Sequence, residues 1–329
     1  MHNSFKKLLT ALICFSSILY SYSQQGVIHQ WEAKGNPVVT HKYTCDPAPL
    51  VYNDTLFIFT GEDAKGGQTG YNIKNWCCFA TTDMKNFIEY DIPLYATDFE
   101  WNHGEYAYAG HVAERNGKFY WYVSTNTTGI GVAVADRPEG PYKDALGKPL
   151  LTNEDSPGKD HSWRTIDPAV FIDDDGQAWL YWGNGGCWAV KLNDDMVSYD
   201  TDYGVKTISI EGEMEFPFTE APWVHKKDDI YFLSYAIGFP ERIAYAVSDK
   251  PDGPFIYKGI INEIAGNSNT NHQSMIEYKD NWYFVYHNGG IQTDGGSYSR
   301  SICIDKLEYD ENGLYKPILM TTPGVDKID

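Results

Sequence analysis

The sequence predicts an all-β protein, a five-bladed β-propeller forming one domain, and three observations predict it. Short runs of alternating aromatic and aliphatic residues, such as Lys118-Phe-Tyr-Trp-Tyr-Val123 and Trp282-Tyr-Phe-Val-Tyr286, have the period of half-buried strands. Turn signals fall between paired runs, at Asn116-Gly117, Asp175-Gly176, Asp228-Asp229 and Asp280-Asn281, as β-hairpins require. One hairpin plan then recurs five times, opening at residues 46, 111, 167, 220 and 272, in steps of 65, 56, 53 and 52 residues. A repeat of about 50 residues is the length of one four-stranded blade. A β-sandwich accounts for the strands but not for the period.

The first element is a leader. Lys6 and Lys7 precede the apolar run Leu8 to Tyr20, and Ser21-Tyr-Ser23 supplies small residues for cleavage, so residues 1–23 are expected to be a signal peptide. The run is too short for a stable membrane span. Cys14 sits inside it rather than after small residues at its end, which argues against a lipid anchor. The protein is therefore expected to be exported, to the periplasm or out of the cell. Residues 24–329 form the propeller, with no Pro/Ser-rich linker or charge run to divide them.

The five units follow in order. Asp46-Pro-Ala-Pro-Leu-Val-Tyr leads into Thr55-Leu-Phe-Ile-Phe59; His111-Val-Ala-Glu into Lys118-Phe-Tyr-Trp-Tyr122; Asp167-Pro-Ala-Val-Phe into Gln177-Ala-Trp-Leu-Tyr181. Glu220-Ala-Pro-Trp-Val leads into Ile230-Tyr-Phe-Leu233, and His272-Gln-Ser-Met-Ile into Trp282-Tyr-Phe-Val285. A polar residue opens each unit, an apolar strand follows, a turn reverses it and an aromatic strand returns. A second repeat, Asp136-Arg-Pro-Glu-Gly-Pro-Tyr142 and Asp249-Lys-Pro-Asp-Gly-Pro-Phe255, is spaced by two blade lengths and is expected at outer-strand turns.

Composition excludes several partners. The formal net charge is −19, and losing the two leader lysines makes it more negative, so the surface repels nucleic acid and anionic membranes and suits a neutral substrate. Cys45, Cys77, Cys78, Cys187 and Cys303 show neither a disulfide framework nor zinc-finger spacing and read as mostly structural thiols, with room for one disulfide. Cys77 and Cys78 are expected on opposite faces of one strand. Oligomeric state is not legible.

In a propeller the innermost strands begin at the central axis, so the five openers should line one funnel. Three of them, Asp46, Asp167 and Glu220, are carboxylic acids. Each alone has a plain reading, since Asp before Pro often serves only as turn chemistry, but three at equivalent positions point to a shared site. Cleaving a glycosidic bond needs an acid to protonate the leaving oxygen and a carboxylate to activate water from the opposite face. A third carboxylate raises the pKa of its most easily protonated neighbour. The prolines after Asp46 and Asp167, and Pro222, are expected to bias the residues before them to extended geometry.

The motifs Cys45-Asp-Pro-Ala-Pro49, Thr165-Ile-Asp-Pro-Ala169 with Phe171-Ile-Asp-Asp-Asp-Gly176, Phe218-Thr-Glu-Ala-Pro-Trp223 and Asn271-His-Gln-Ser274 resemble those of glycoside hydrolase family 43. The likeness runs from about Asn36 to Asp310. It implies an inverting glycosidase in which Asp46 is the general base, Glu220 the general acid, and Asp167 the residue that orients the acid and raises its pKa. It implies action on plant polysaccharides or oligosaccharides of arabinoxylan type, releasing α-L-arabinofuranosyl or β-xylosyl groups. Endo-arabinanase action on the same scaffold and a non-catalytic carbohydrate-binding propeller are the alternatives, and related fructan-cleaving propellers differ in retaining configuration.

By the same resemblance His272 faces either a calcium ion and its waters on the axis or channel water alone, and no cofactor is needed for the chemistry. Arg300 would reach into the sugar subsite, the alternative being a surface salt bridge. Of Trp101, Trp163, Trp182 and Trp223, Trp101 is the leading candidate to stack on a sugar, and Trp223 is a further substrate-binding candidate. His111 and Glu105 sit near the opening of the second unit, and by the resemblance the segment Tyr108-Ala-Gly-His111 would help shape the subsite.

Overall fold

The computed structural model describes residues 26–64, 70–71, 73–104, 106–125 and 129–329. The expected leader, with Cys14, and Glu105 lie outside the described residues. Five antiparallel blades are present. Blade I comprises Tyr43–Tyr52, Thr55–Asp63, Ile73–Thr81 and Asn86–Tyr90, and blade II comprises Ala107–Arg115, Lys118–Thr125, Gly129–Ala135 and Lys143–Asp144. Blade III has Ala169–Ile172, Ala178–Trp182, Trp188–Lys191 and Lys206–Thr207, and blade IV has Phe218–Lys227, Ile230–Ile237, Arg242–Ser248 and Phe255–Asn262. Blade V has Gln273–Tyr278, Asn281–Asn288 and Ser301–Lys306.

Each innermost strand packs against those of its two neighbours, and blade V returns to blade I. The N-terminal stretch closes the ring. Val38 N–H donates to the Ile302 carbonyl at 3.0 Å and Thr44 N–H to that of Arg300 at 2.9 Å, so chain from the start of the domain lies along the last strand of blade V. Upstream of it, Val27–Glu32 pairs with the outermost strand of blade I.

The core is divided like the sequence. One hydrophobic cluster fills each of the five gaps between blades, because both faces of every blade are covered and period-2 alternation sends successive side chains to opposite gaps. Cys77 packs in the gap between blades I and V and Cys78 in that between I and II. All five described cysteines are buried and free. Trp76, Trp121, Trp182 and Trp188 are fully buried. Burying a large side chain of this kind is worth about 1.5–3 kcal/mol, so these gaps hold the fold together.

Tight turns join the two inner strands of each blade where the sequence offers residues that tolerate positive φ. Asn53-Asp54, Asn116-Gly117 and Asp228-Asp229 have positive φ at both positions. In blade V the positive-φ pair is Lys279-Asp280, one residue before the expected Asp280-Asn281. The repeated Asp-x-Pro-x-Gly-Pro segments connect third to fourth strands in blades II and IV, as their spacing suggests.

Candidate active site

A cavity of about 350 Å³ opens at the end of the ring where the inner strands begin. Its lining includes Asp46, Asp167, Glu220, His272 and Arg300, contributed by blades I, III, IV and V. A local device sets two of the three carboxyls there. In blade I the ladder pairs Cys45 with Gly61 and next Ala48 with Phe59, and in blade IV Glu220 with Ala236 and next Trp223 with Ser234, so two residues bulge out of each ladder.

The backbone beside all three carboxyls differs from the extended geometry expected before proline. Asp46, Asp167 and Ala221, each directly followed by proline, have φ of 50°, 58° and 56°. This left-handed conformation costs a non-glycine residue on the order of 1–3 kcal/mol and persists where surrounding contacts over-determine it. Those contacts are present. Asp46 N–H donates to His287 Nδ1 at 3.2 Å, Asp167 N–H to Ser124 Oγ at 2.8 Å, and Ala221 N–H to Asp167 Oδ2 at 3.1 Å. The last bond ties the third blade's carboxylate to the strand that carries Glu220.

Their surroundings shift the three acids in opposite directions. Burial alone would raise Asp46, but the Arg300 guanidinium, with Nη1 2.9 Å from Asp46 Oδ1, outweighs it and holds the carboxyl far below the usual range. Burial, then the charges of Glu220 and Asp46, push Asp167 well up. Glu220 is also raised, by burial and by Asp46, against a hydrogen bond from Asn184 Nδ2 at 2.5 Å that favours its ionised form. Asp46 is thus shifted toward its ionised form, and Asp167 and Glu220 toward their protonated forms.

Arg300 is 3 % exposed, so it is no surface ion pair. Nε and Nη2 each donate to the Asp63 carboxylate at 2.9 Å, the backbone N–H adds a third bond to Asp63 at 2.9 Å, and the guanidinium carbon lies 5.1 Å from the centre of the Tyr71 ring. Asp63 was not singled out in the sequence. The signal existed, since a buried arginine shared with one base needs a second acid, and Asp63 ends the strand antiparallel to the one that carries Asp46.

The other expected contacts sort differently. His272 lines the cavity, with Nδ1 3.7 Å from Asp46 Oδ1, and burial lowers its pKa to about 4. Among the described residues no group of three or more His, Cys, Asp or Glu is placed to hold a metal ion. His111, Trp223 and Trp101 are not among the lining residues. His111 stacks on Trp223 with ring centres 4.6 Å apart and accepts the Val170 N–H at Nδ1, so the pair pins blades II, III and IV together behind the cavity. Burial lowers His111 to about 3, keeping it neutral.

Trp101 donates to Asp144 Oδ2 at 2.8 Å and packs on Phe99 in the gap between blades I and II. Trp182 is buried, its indole N–H on Ser156. The aromatic groups that do border the cavity with large exposed faces are Trp163, 51 % exposed, and Phe239, 67 % exposed. Tyr108, from the segment expected to shape the subsite, lines it as well.

The sequence matches the profile of Glycosyl hydrolases family 43 over residues 34–315. The chain belongs to glycoside hydrolase family 43. It is 30% identical over 339 residues to an arabinoxylan arabinofuranohydrolase from Paenibacillus polymyxa, an alignment covering 89% of this chain and 53% of that protein, so the chain spans about half that relative's length. A family 43 β-xylosidase/α-arabinofuranosidase from a compost microbial metagenome, solved with xylotriose in a calcium-free form, superimposes with TM-score 0.76 at 28% identity, covering 88% of this chain and 98% of that one. An α-L-arabinofuranosidase from Clostridium thermocellum gives TM-score 0.69 at 35% identity, covering 88% and 97%. Such family 43 neighbours are five-bladed β-propellers.

Proposed function

We propose that this chain is an inverting exo-glycosidase that removes single α-L-arabinofuranosyl or β-xylosyl groups from arabinoxylan-type polysaccharides or oligosaccharides. The observation that carries the reading is the convergence of Asp46, Asp167 and Glu220, from three blades, on one cavity in which Arg300 stands 2.9 Å from Asp46. Asp46 takes a proton from a water molecule as its oxygen bonds to the anomeric carbon. The bond from that carbon to the leaving oxygen breaks, and the oxygen takes the Glu220 proton. Asp167 orients the acid's strand through Ala221 N–H and disfavours ionisation of Glu220.

The names of the relatives favour arabinose and xylose as the sugars. The cavity volume lies at the small end for ligand sites, which suits a terminal sugar better than a length of polymer. A carbohydrate-binding module without catalysis has no use for a base locked in its ionised form by a buried arginine. Calcium near His272, if held through water, would tune the carboxylates without entering a bond-making step. A calcium-dependent rise in melting temperature that His272→Ala abolishes would support that placement, and an equal rise in both proteins would oppose it. Export follows from the leader, and N-terminal sequencing of the mature protein would locate the cleavage point.

Proton NMR of the anomeric region during digestion of arabinoxylan tests the whole reading, with Glu220→Gln as control. Arabinose or xylose appearing first as the inverted anomer, and only with the unmodified enzyme, is the expected result. A retained anomer overturns the role given to Asp46, and no release from any arabinose- or xylose-containing substrate overturns the activity.

A further inference from the structure

Asn184 touches the general acid but has no part in the hydrolytic steps. It lies in the turn between Ala178–Trp182 and Trp188–Lys191 of blade III and lines the cavity, where its Nδ2 donates to Glu220 Oε2 at 2.5 Å. The backbone of that turn is tied down. Gly183 N–H donates to the Ile166 carbonyl at 2.8 Å, Asn184 N–H to that of Arg164 at 3.1 Å, and Gly185 N–H to that of Thr219 at 2.6 Å. Ile166 precedes Asp167 and Thr219 precedes Glu220, so the amide is carried on chain anchored to both acid-bearing segments. Gly183 has φ 141°, and a Cβ there would come within 2.0 Å of the Gly186 carbonyl oxygen, so this path of the chain needs glycine.

An amide nitrogen offers only hydrogens, and the oxygen that receives one must present a lone pair. In a protonated carboxyl the carbonyl oxygen accepts and the hydroxyl oxygen donates. Resting on the reading of Glu220 as general acid, we infer that Asn184 is a positioning residue for it, assigning the transferable proton to Oε1 and keeping a donor on Oε2 for the charge that the transfer leaves behind. As the bond to the leaving oxygen breaks, that oxygen takes the hydrogen from Oε1, and the electron pair of the O–H bond stays on the Glu220 carboxyl. A hydrogen bond to an ionised acceptor is roughly twice as strong as one to a neutral acceptor, so Asn184 favours the carboxylate after transfer over the acid before it.

The charges around the acid come from several elements. Asp46, Asp167, Arg300 and His272 face Glu220 across the cavity, with Tyr71 and Tyr108. Glu241, 2 % exposed, lines it too, its Oε2 held by the Asn271 N–H at 2.9 Å. On the far side of the turn Lys159 and His161 lie against Gly185, and the Arg164 guanidinium is turned to the carbonyls of Asn153 and His161. Burial and the charge of Asp46 raise Glu220, and the bond from Asn184 works against them.

The test measures kcat/KM across pH for an unactivated disaccharide and for a 4-nitrophenyl glycoside of the same sugar, whose leaving group departs with little help. The proteins are the unmodified chain, Asn184→Ala, Asn184→Asp and Glu220→Gln, and thermal melts check the fold. Without its donor the ionised acid is less favoured, so the alkaline limb for the disaccharide is expected to move up by about one pH unit in Asn184→Ala. It should move further in Asn184→Asp, where a like charge is added. In both, kcat on the disaccharide should fall roughly tenfold, with a much smaller loss on the nitrophenyl glycoside.

An unmoved alkaline limb would reduce Asn184 to a packing residue, and a limb that moves down would mean that the amide oxygen faces the acid instead of the nitrogen. Either result, or equal losses on both substrates, would overturn the inference. Glu220→Gln separates the two readings. Leaving-group dependence in Glu220→Gln but not in the Asn184 variants removes only the role of Asn184, whereas its absence in Glu220→Gln removes the acid assignment itself.

Discussion

Arg300 Nη1 stands 2.9 Å from Asp46 Oδ1 while the rest of the same guanidinium grips Asp63 in a two-pronged pair, so one cation bridges two buried acids. The pair with Asp63 aims the arginine, and the remaining nitrogen sets the base. Asp46 has a depressed folded pKa, so its contribution to stability is present above the unfolded carboxylate value and lost as pH falls through the folded one.

Arg300→Gln should therefore act on two readouts. Without its cation Asp46 becomes harder to ionise, and the acid limb of kcat/KM should rise by about one pH unit or more. Removing one member of a buried ion network typically costs about 3–5 kcal/mol, to be read from urea denaturation. Adding Asp63→Asn should restore part of the stability, because one stranded charge is gone, but should leave the acid limb raised. An acid limb unchanged in Arg300→Gln would refute the coupling.

Asp167 carries the opposite sign. Its folded pKa is raised by burial first and by Glu220 and Asp46 next, so the stability it contributes is complete below the unfolded value near 3.9 and declines as pH rises through the folded value. Asp167→Asn keeps an acceptor for Ala221 N–H and has no charge to bury. It should be inactive, yet more stable than the unmodified protein at pH 8 by about 1–2 kcal/mol, with little gain at pH 4. A gain of equal size at both pH values would show that the charge is not the cause.

One side chain adds to the backbone bonds that close the ring. Asn36 is buried; its Oδ1 accepts the Ile304 N–H at 2.8 Å, and its Nδ2 donates to the Thr321 carbonyl at 2.8 Å and to Asp305 Oδ2 at 3.2 Å. Asn36→Ala would strand these groups at about 1–3 kcal/mol for each buried group left unmade. The expected outcome is a lower melting temperature and faster hydrogen exchange in the last strand of blade V. Unchanged exchange there would mean that the N-terminal stretch does not latch the ring.

The blades and the three carboxyls were legible because a repeat places equivalent residues at equivalent depths, so Asp46, Asp167 and Glu220 could be superposed without coordinates. What escaped notice belongs to connections between strands. Asp63 ends a second strand and Glu241 closes the turn before a third, and neither position opens a repeat unit. The tryptophans were harder still, because a propeller with both blade faces covered buries most of its aromatic residues, and period alone does not say which of them faces solvent. The left-handed conformation was missed because the restriction proline places on its predecessor was weighed without the hydrogen bonds that override it at Asp46 and Asp167.

That difference among the tryptophans gives a last test, which compares Trp163 with Trp101, the leading stacking candidate of the sequence. Trp163 borders the cavity with half its surface exposed, and nothing in a core depends on it, so Trp163→Ala should leave the melting temperature nearly unchanged. A stacked sugar would lose apolar contact worth about 1–2 kcal/mol, raising KM roughly tenfold with little change in kcat, the signature of binding common to ground and transition states. Trp101 fills the gap between blades I and II, against Phe99 and Gly131, with its indole N–H on Asp144. Trp101→Ala should cost about 2–4 kcal/mol of stability, toward the lower part of the range for deleting a large aromatic because the ring is only partly buried, and should leave KM alone. If Trp101→Ala raised KM and Trp163→Ala did not, the sugar would lie against blade II instead of between the rims of blades III and IV.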